Sequence, residues 1–164
     1  MSEKAIEICL IKPAAEKARI CREILSALPQ WFGIASANAE YIQGVQGKIF
    51  YAAKIESKVV GFYALEEHFA QSYEIYLCAV LPQWHGCKIG TSLQRFVEKE
   101  LCNQGVKYLC VKTLSAQHPD KNYARTRLFY QRMGFLPLQI FPLLWGKDNP
   151  CLLMIKEITG NCER

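Results

Sequence analysis

Two short stretches of the chain combine residue types that do chemistry. The first is Tyr73–Gly90, YEIYLCAVLPQWHGCKIG. It is an apolar run carrying one carboxylate, Glu74, that stops at Pro82 and passes through a glycine-bearing turn into a helix. The first backbone N–H groups of a helix have no partner inside it and stand beside a partial positive charge, so this order suits a site that grips phosphates. The second is Phe129–Phe135, FYQRMGF, in which Tyr130 sits on the last turn of a helix stopped by Gly134. Carboxylates and phenols both transfer protons. The two stretches together predict an enzyme that binds a phosphorylated cofactor with a carboxylate and a phenol nearby.

The elements that must position these groups are legible as periodicities. Ala5–Lys12 alternates as a strand, with Ile6, Ile8 and Leu10 on one face, and Pro13 ends it. Ala14–Leu28 reads as a helix with the stripe Ile20, Ile24, Leu25 and Leu28, closed by Pro29. Ser36 opens a short helix through about Tyr41. Strands follow at Lys48–Glu56, Lys58–Glu66 and Ser72–Leu81, the first two joined tightly at Ser57. Thr91–Gln104 is helical and stopped by Gly105. Val106–Thr113 is apolar apart from its lysines and reads as a central strand covered on both faces. Tyr123–Met133 is the last helix, and Phe135–Pro142 and Cys151–Ile158 are the last strands. Adjacent early strands imply antiparallel hairpins, and the helix between the Ser72–Leu81 strand and the Val106–Thr113 strand implies a right-handed parallel crossover. The expected fold class is α/β, or α+β by some schemes. It is a mixed, mostly antiparallel sheet of six to seven strands with helices on both faces, and a cofactor in the cleft between two splayed parallel strands.

Bulk properties narrow the classes. The 164 residues fit one domain, expected over 1–164, with enough chain to bury a core. Half the residues are hydrophobic, which excludes a disordered chain. The net charge of +5 favours anionic ligands, but no basic run marks a nucleic-acid partner, so none is expected. The eight cysteines include no CxxC pair and no histidine at zinc spacing, so neither a metal site nor a disulfide framework is expected. Buried thiols in a reducing cytosol are the plainer reading. No signal-peptide core and no apolar stretch of membrane-spanning length is present in the sequence, which predicts a cytoplasmic protein with no membrane partner.

Nearly the whole chain resembles the GNAT superfamily of acetyl-CoA-dependent N-acetyltransferases. That family's pyrophosphate turn has the form Gln/Arg-x-x-Gly-x-Gly/Ala, placed after a strand and a proline. Here it matches His85-Gly86-Cys87-Lys88-Ile89-Gly90, followed by Thr91, with His85 in place of Gln/Arg and Lys88 in place of the first motif glycine. A register starting at Gln83 keeps Gly86 but puts Lys88 at the last small position. The first register is preferred because its final glycine opens the helix, where backbone must approach phosphate closely. The family's Tyr-x-x-x-Gly-Phe element is intact from Tyr130 to Gly134-Phe135.

The resemblance implies acetyl-CoA as cosubstrate, with no metal. It implies pantetheine bound along Cys78, Ala79 and Val80 as an added strand, with the Cys78 N–H free to polarise the thioester carbonyl. It implies Tyr130 as the acid beside the sulfur. Glu74 matches the glutamate of histone-type members and is either the general base or a contact for a cationic acceptor, with Glu66, Glu67 and His68 as alternatives. Arg125 and Arg127 either reach cofactor phosphates or are solvated. Trp31, Phe32 and Trp145 fall on segments that flank the acceptor channel in this fold. They form either its aromatic wall or a cover over core or dimer surface. The expected activity is direct transfer of an acetyl group to a small-molecule or peptide amine in a ternary complex, with homodimerisation left open. The alternative is a non-catalytic acyl-CoA-binding or regulatory module on the same fold.

Overall fold

The computed structural model describes residues 4–160. The elements are β1 (Glu7–Leu10), α1 (Ala14–Ser26), α2 (Ala35–Gly44), β2 (Ile49–Ile55), β3 (Lys58–Phe69), β4 (Ser72–Val80), α3 (Ile89–Asn103), β5 (Tyr108–Leu114), α4 (Lys121–Arg132), β6 (Leu136–Phe141) and β7 (Cys151–Glu157). Short 3₁₀ turns stand at Val45–Gly47 and Pro82–Trp84. The seven strands form one mixed sheet in the order β1-β2-β3-β4-β5-β7-β6. β4 and β5 run parallel, paired from Ser72↔Tyr108 to Ile75↔Val111. Among the described residues no helix is long and apolar enough to cross a membrane.

The described chain divides into two compact units. The first takes residues up to Glu66 together with Tyr76–Glu100. Its β2–β3 hairpin turns on Glu56 and Ser57, both in the left-handed region, with φ 49° and 67°. Two left-handed residues in succession give the twist that a tight hairpin needs. Strand alternation then splits the hairpin's side chains between two faces. Phe50, Ala52, Phe62 and Ala64 share a core with Ile20, Cys21, Ile24 and Leu25 of α1. Phe50 and Phe62 stack at 4.8 Å within that core. On the other face Tyr51 meets Phe96 of α3 at 5.3 Å, and the Tyr63 hydroxyl donates to Gln94 Oε1 at 2.9 Å. Helices therefore cover both faces of this unit.

β1 is shorter than its periodicity predicts, Glu7–Leu10 against Ala5–Lys12. Cys9 packs against the core and Ile11 is inside it, while Leu10 is 47% exposed. The inward face is the one opposite to Ile6, Ile8 and Leu10, because register with β2 pairs Cys9 with Ala52 of the buried set.

The second unit takes Glu67–Ile75 and everything from Leu101 on. β5 pairs antiparallel with β7, and β7 with β6. Leu109, Val111 and Thr113 are buried on one face of β5, whereas Cys110 and Lys112 on the other are half-buried. Leu114 on that second face is buried too, so coverage there is partial where the first face is covered completely. α4 begins at an Asp120 cap, whose carboxylate accepts from the N–H groups of Asn122 and Tyr123 at 2.8 and 3.0 Å. Arg127 of α4 donates to the Leu114 carbonyl at 2.7 Å, and Lys156 of β7 caps the Met133 carbonyl beyond the last turn. β6 ends the strand order, and its register with β7 shifts between Pro137 and Gln139.

Six cysteines, Cys9, Cys21, Cys78, Cys87, Cys110 and Cys151, are free thiols. Burial pushes the Cys21 thiol up to about 12, against a small opposing effect of Arg22. Cys102 is disulfide-bonded, which corrects the reading of thiols throughout. Cys162 lies outside the described residues.

Candidate active site

In the first unit the turn that follows β4 has the backbone of an anion cradle. The Pro82–Trp84 turn ends at His85, then Gly86 and Lys88 both take positive φ, 76° and 62°. Lys88 thus adopts the left-handed conformation that a glycine would adopt at this motif position, at a cost of order 1 kcal/mol. Alternation of such residues turns successive N–H groups to one side. α3 starts at Ile89, two residues earlier than periodicity predicts, so Gly90 lies in its first turn. The first intrahelical bond runs from the Ser92 N–H to the Lys88 carbonyl at 2.9 Å. The N–H groups of Ile89, Gly90 and Thr91 are therefore not spent inside the helix. A cavity of about 670 Å³ lies along this turn, lined by Lys4, Ile55, Trp84, Gly86, Lys88 and Ser92 among others.

His85 is committed locally. Its Nε2 lies 2.7 Å from the Val80 carbonyl, and its ring meets Trp31 edge-on at 5.5 Å. Phe32 packs edge-on against Tyr41 at 6.2 Å. Trp31 and Phe32, two of the three aromatics expected near the acceptor, are half-buried against neighbours of their own unit. Cys78, Ala79 and Val80 follow on β4, with Ala79 buried and the other two partly so. Cys87 is exposed in the turn.

The second unit holds a polar cluster. Glu74 lies on β4 directly beside Cys110 of β5 in the parallel register. Its side chain is only 9% exposed. Lys112, two residues along β5 on the same face, donates its Nζ to both Glu74 oxygens, at 2.9 and 3.1 Å. His68, at the end of β3, places Nε2 at 2.6 Å from Glu74 Oε2. Burial works against the Lys112 ammonium, but the hydrogen bond and the charge of Glu74 outweigh it and leave its pKa raised. Burial, then the Glu74 charge, push the Cys110 thiol up to about 11, so it stays neutral near pH 7. Burial raises the Cys151 thiol as well, with Glu74 adding to it and Lys112 opposing.

Nitrogen, oxygen and sulfur from His68, Glu74 and Cys110 lie within 4.8 Å of one another, the donor set a zinc ion uses. The Lys112 ammonium already occupies both carboxylate oxygens, so a cation there would have to displace it.

Tyr130 is buried on α4, its ring edge-on to Phe135 at 5.5 Å. Gly134, with φ 93°, ends the helix, and the Phe135 N–H closes on the Tyr130 carbonyl at 3.0 Å. Arg127 is spent on the Leu114 carbonyl. Trp145, in the β6–β7 loop, is 40% exposed. Sequence reasoning singled out Glu74 and named His68 as an alternative, but it did not find Lys112. The available signal was a lysine inside an otherwise apolar strand.

A family model for the acetyltransferase (GNAT) domain matches residues 46–137, more than half of the chain. The chain belongs to the GNAT family. It is accordingly an acyltransferase, with the mixed seven-stranded sheet of GNAT proteins. Among solved structures it is similar to a protein from Desulfovibrio desulfuricans described as a GNAT-family acetyltransferase. That likeness has 18% identity and a TM-score of 0.79, covering 94% of this chain and 100% of the other. It is also similar to the ribosomal-protein-S18-alanine N-acetyltransferase of Escherichia coli, at 16% identity and TM-score 0.74, over 96% and 97% of the two chains. A third likeness, to a GNAT acetyltransferase of Elizabethkingia anophelis with acetyl-CoA bound, has 20% identity and TM-score 0.65, over 93% and 97%. At these identities the likenesses concern the fold. No curated protein matches the chain by sequence.

Proposed function

We propose that this GNAT protein transfers an acetyl group from acetyl-CoA to an amine acceptor, directly, in a ternary complex. The observation that carries the reading is the buried Glu74 carboxylate with His68 and Lys112 around it. An ammonium cannot attack a thioester, and such a cluster is a place for its proton to go. The E. coli relative acetylates a protein alanine by its name, and the Elizabethkingia relative holds acetyl-CoA, which supports an amine acceptor and this cosubstrate.

In this reading the diphosphate rests on the N–H groups of Gly86–Thr91, with Lys88 adding positive charge beside His85. Cys78, Ala79 and Val80 hold the pantetheine arm, and the Cys78 N–H donates to the thioester oxygen as it becomes negative. His85 must release the Val80 carbonyl for a pantetheine N–H to replace it. The Tyr130 phenol donates its proton to the departing thiolate. Trp31, Phe32 and Trp145 supply the apolar and ring surfaces for the acceptor. The six free thiols support a cytoplasmic setting, and the Cys102 disulfide counts against it.

The test is a screen of small-molecule and peptide amines with acetyl-CoA, read by mass spectrometry, together with calorimetry of CoA binding. An acetylated amine is the expected result. Gly90→Glu puts bulk and negative charge at the start of α3, so it is expected to abolish CoA binding in a folded protein. Unchanged binding by that variant would remove the turn from the site.

A further inference from the structure

We propose that the proton of the acceptor amine goes to His68, through Nδ1, and that Glu74 and Lys112 are positioning residues for it. The assignment deepens the acetyl-transfer reading and rests on it. Three observations lead there. The first is occupancy of the carboxylate. Glu74 already accepts two bonds from the Lys112 ammonium, at 2.9 and 3.1 Å, and faces His68 Nε2 at 2.6 Å. An ionised carboxylate is an acceptor only, with about four lone-pair sites. Protonating it would sacrifice a charge-assisted bond at a carboxylate that is only 9% exposed.

The second is the tautomer. An ion-paired carboxylate can only accept, so the ring nitrogen facing it carries the hydrogen. Nε2 faces Glu74, which leaves the lone pair on Nδ1. The third is access. The His68 side chain is 41% exposed, against 9% for Glu74. The basic atom of the cluster that an incoming ammonium can reach is on the imidazole.

The chemistry balances. R–NH3⁺ gives one proton to Nδ1, and the imidazolium is held by the Glu74 charge. The freed lone pair attacks the acetyl carbonyl carbon and the C–S bond breaks. The nitrogen's second proton is lost as the CoA thiolate is protonated, and the Nδ1 proton returns to water. The Lys112 ammonium stays bonded to both Glu74 oxygens throughout. The other titratable groups facing the ring are Lys112 and the Cys110 thiol of β5, the thiol neutral near pH 7; Glu67, the preceding residue of β3, falls on the opposite strand face.

The experiment compares wild type, His68→Gln and Glu74→Gln in acetyl-CoA turnover with an amine acetylated in the screen, across pH. Histidine side-chain NMR of the resting protein reads the tautomer. His68 is exposed enough for His68→Gln to fold, and its melting curve checks this. The expected result is a kcat lower by about 10²- to 10⁴-fold at neutral pH in His68→Gln, with the KM for acetyl-CoA unchanged. The deficit shrinks as pH rises and the amine loses its proton unaided. Glu74→Gln is expected to slow turnover less and to move the acidic limb of the pH–rate profile, which a purely structural role would not do. His68→Gln turning over as fast as wild type, or an Nδ1–H tautomer at neutral pH, overturns the assignment and leaves acetyl transfer standing. A wild type that acetylates no amine sinks the acetyl-transfer reading and this assignment with it.

Discussion

Replacing Lys112 with methionine isolates what the ammonium does for Glu74. Methionine keeps the unbranched stem and drops the charge together with the N–H donors. The Nζ stands about 3 Å from both carboxylate oxygens. At an effective dielectric of 20 a charge pair at that distance attracts by about 5 kcal/mol. Desolvation takes back much of this, and Lys112, 32% exposed, keeps part of its water and so part of the screening. A net loss of about 1–3 kcal/mol remains, because Glu74 is then left in its closed site with His68 alone. For a chain of this length that corresponds to a fall in Tm of roughly 2–12 °C.

The pH dependence of that difference has a fixed sign. The Lys112 pKa is raised on folding from an ordinary value of 10.5. Its contribution to stability is therefore whole below about pH 10.5 and disappears as pH climbs through the folded value. Urea unfolding of both proteins at neutral pH and at successive values above pH 10 measures it. Equal stability at neutral pH, or a gap that persists undiminished at the alkaline end, would refute the argument.

Three further outcomes are expected. Tyr63→Phe deletes the bond to Gln94 Oε1 between two fully buried side chains whose Gln94 Nε2 already lacks a partner. Urea unfolding should show a loss of about 1–3 kcal/mol, and a neutral change would mean that water enters beside Gln94. Asp120→Ala removes the acceptor for two N–H groups at the start of α4 and is expected to cost about 1 kcal/mol, read in the same way. Tyr130→Phe keeps the ring packed on Phe135, so the melting temperature should hold while single-turnover acetyl transfer slows by roughly tenfold to ten-thousandfold. An unslowed chemical step would make Tyr130 a packing residue.

Most of the fold was legible because its punctuation is chemical. Pro13, Gly105 and Gly134 stop elements where prolines and left-handed glycines must. Which face of β1 turns inward is set by its register with β2, which places Cys9 opposite Ala52 of the buried set, and no local pattern encodes that pairing. The start of α3 was displaced because Lys88 takes a left-handed turn that residue type disfavours. In the polar cluster, Glu74 stood out as a lone carboxylate in an apolar strand. Lys112 did not, because its partnership depends on which residue of β5 lies beside Glu74, a parallel register that no local pattern encodes. His68 joins through the return of β3 into β4, again a matter of pairing rather than of composition.

The outer strand β6 has a practical consequence for anyone handling the protein. Leu136, Leu138 and Ile140 are exposed along it, and LPLQIF has no charge to repel another strand laid against its free edge. What interrupts that edge is Pro137, which lacks an N–H, and the register shift beside it. Those two irregularities thus stand between a concentrated sample and strand-to-strand aggregation, and shelf life rather than turnover is where replacement of the proline would first be felt.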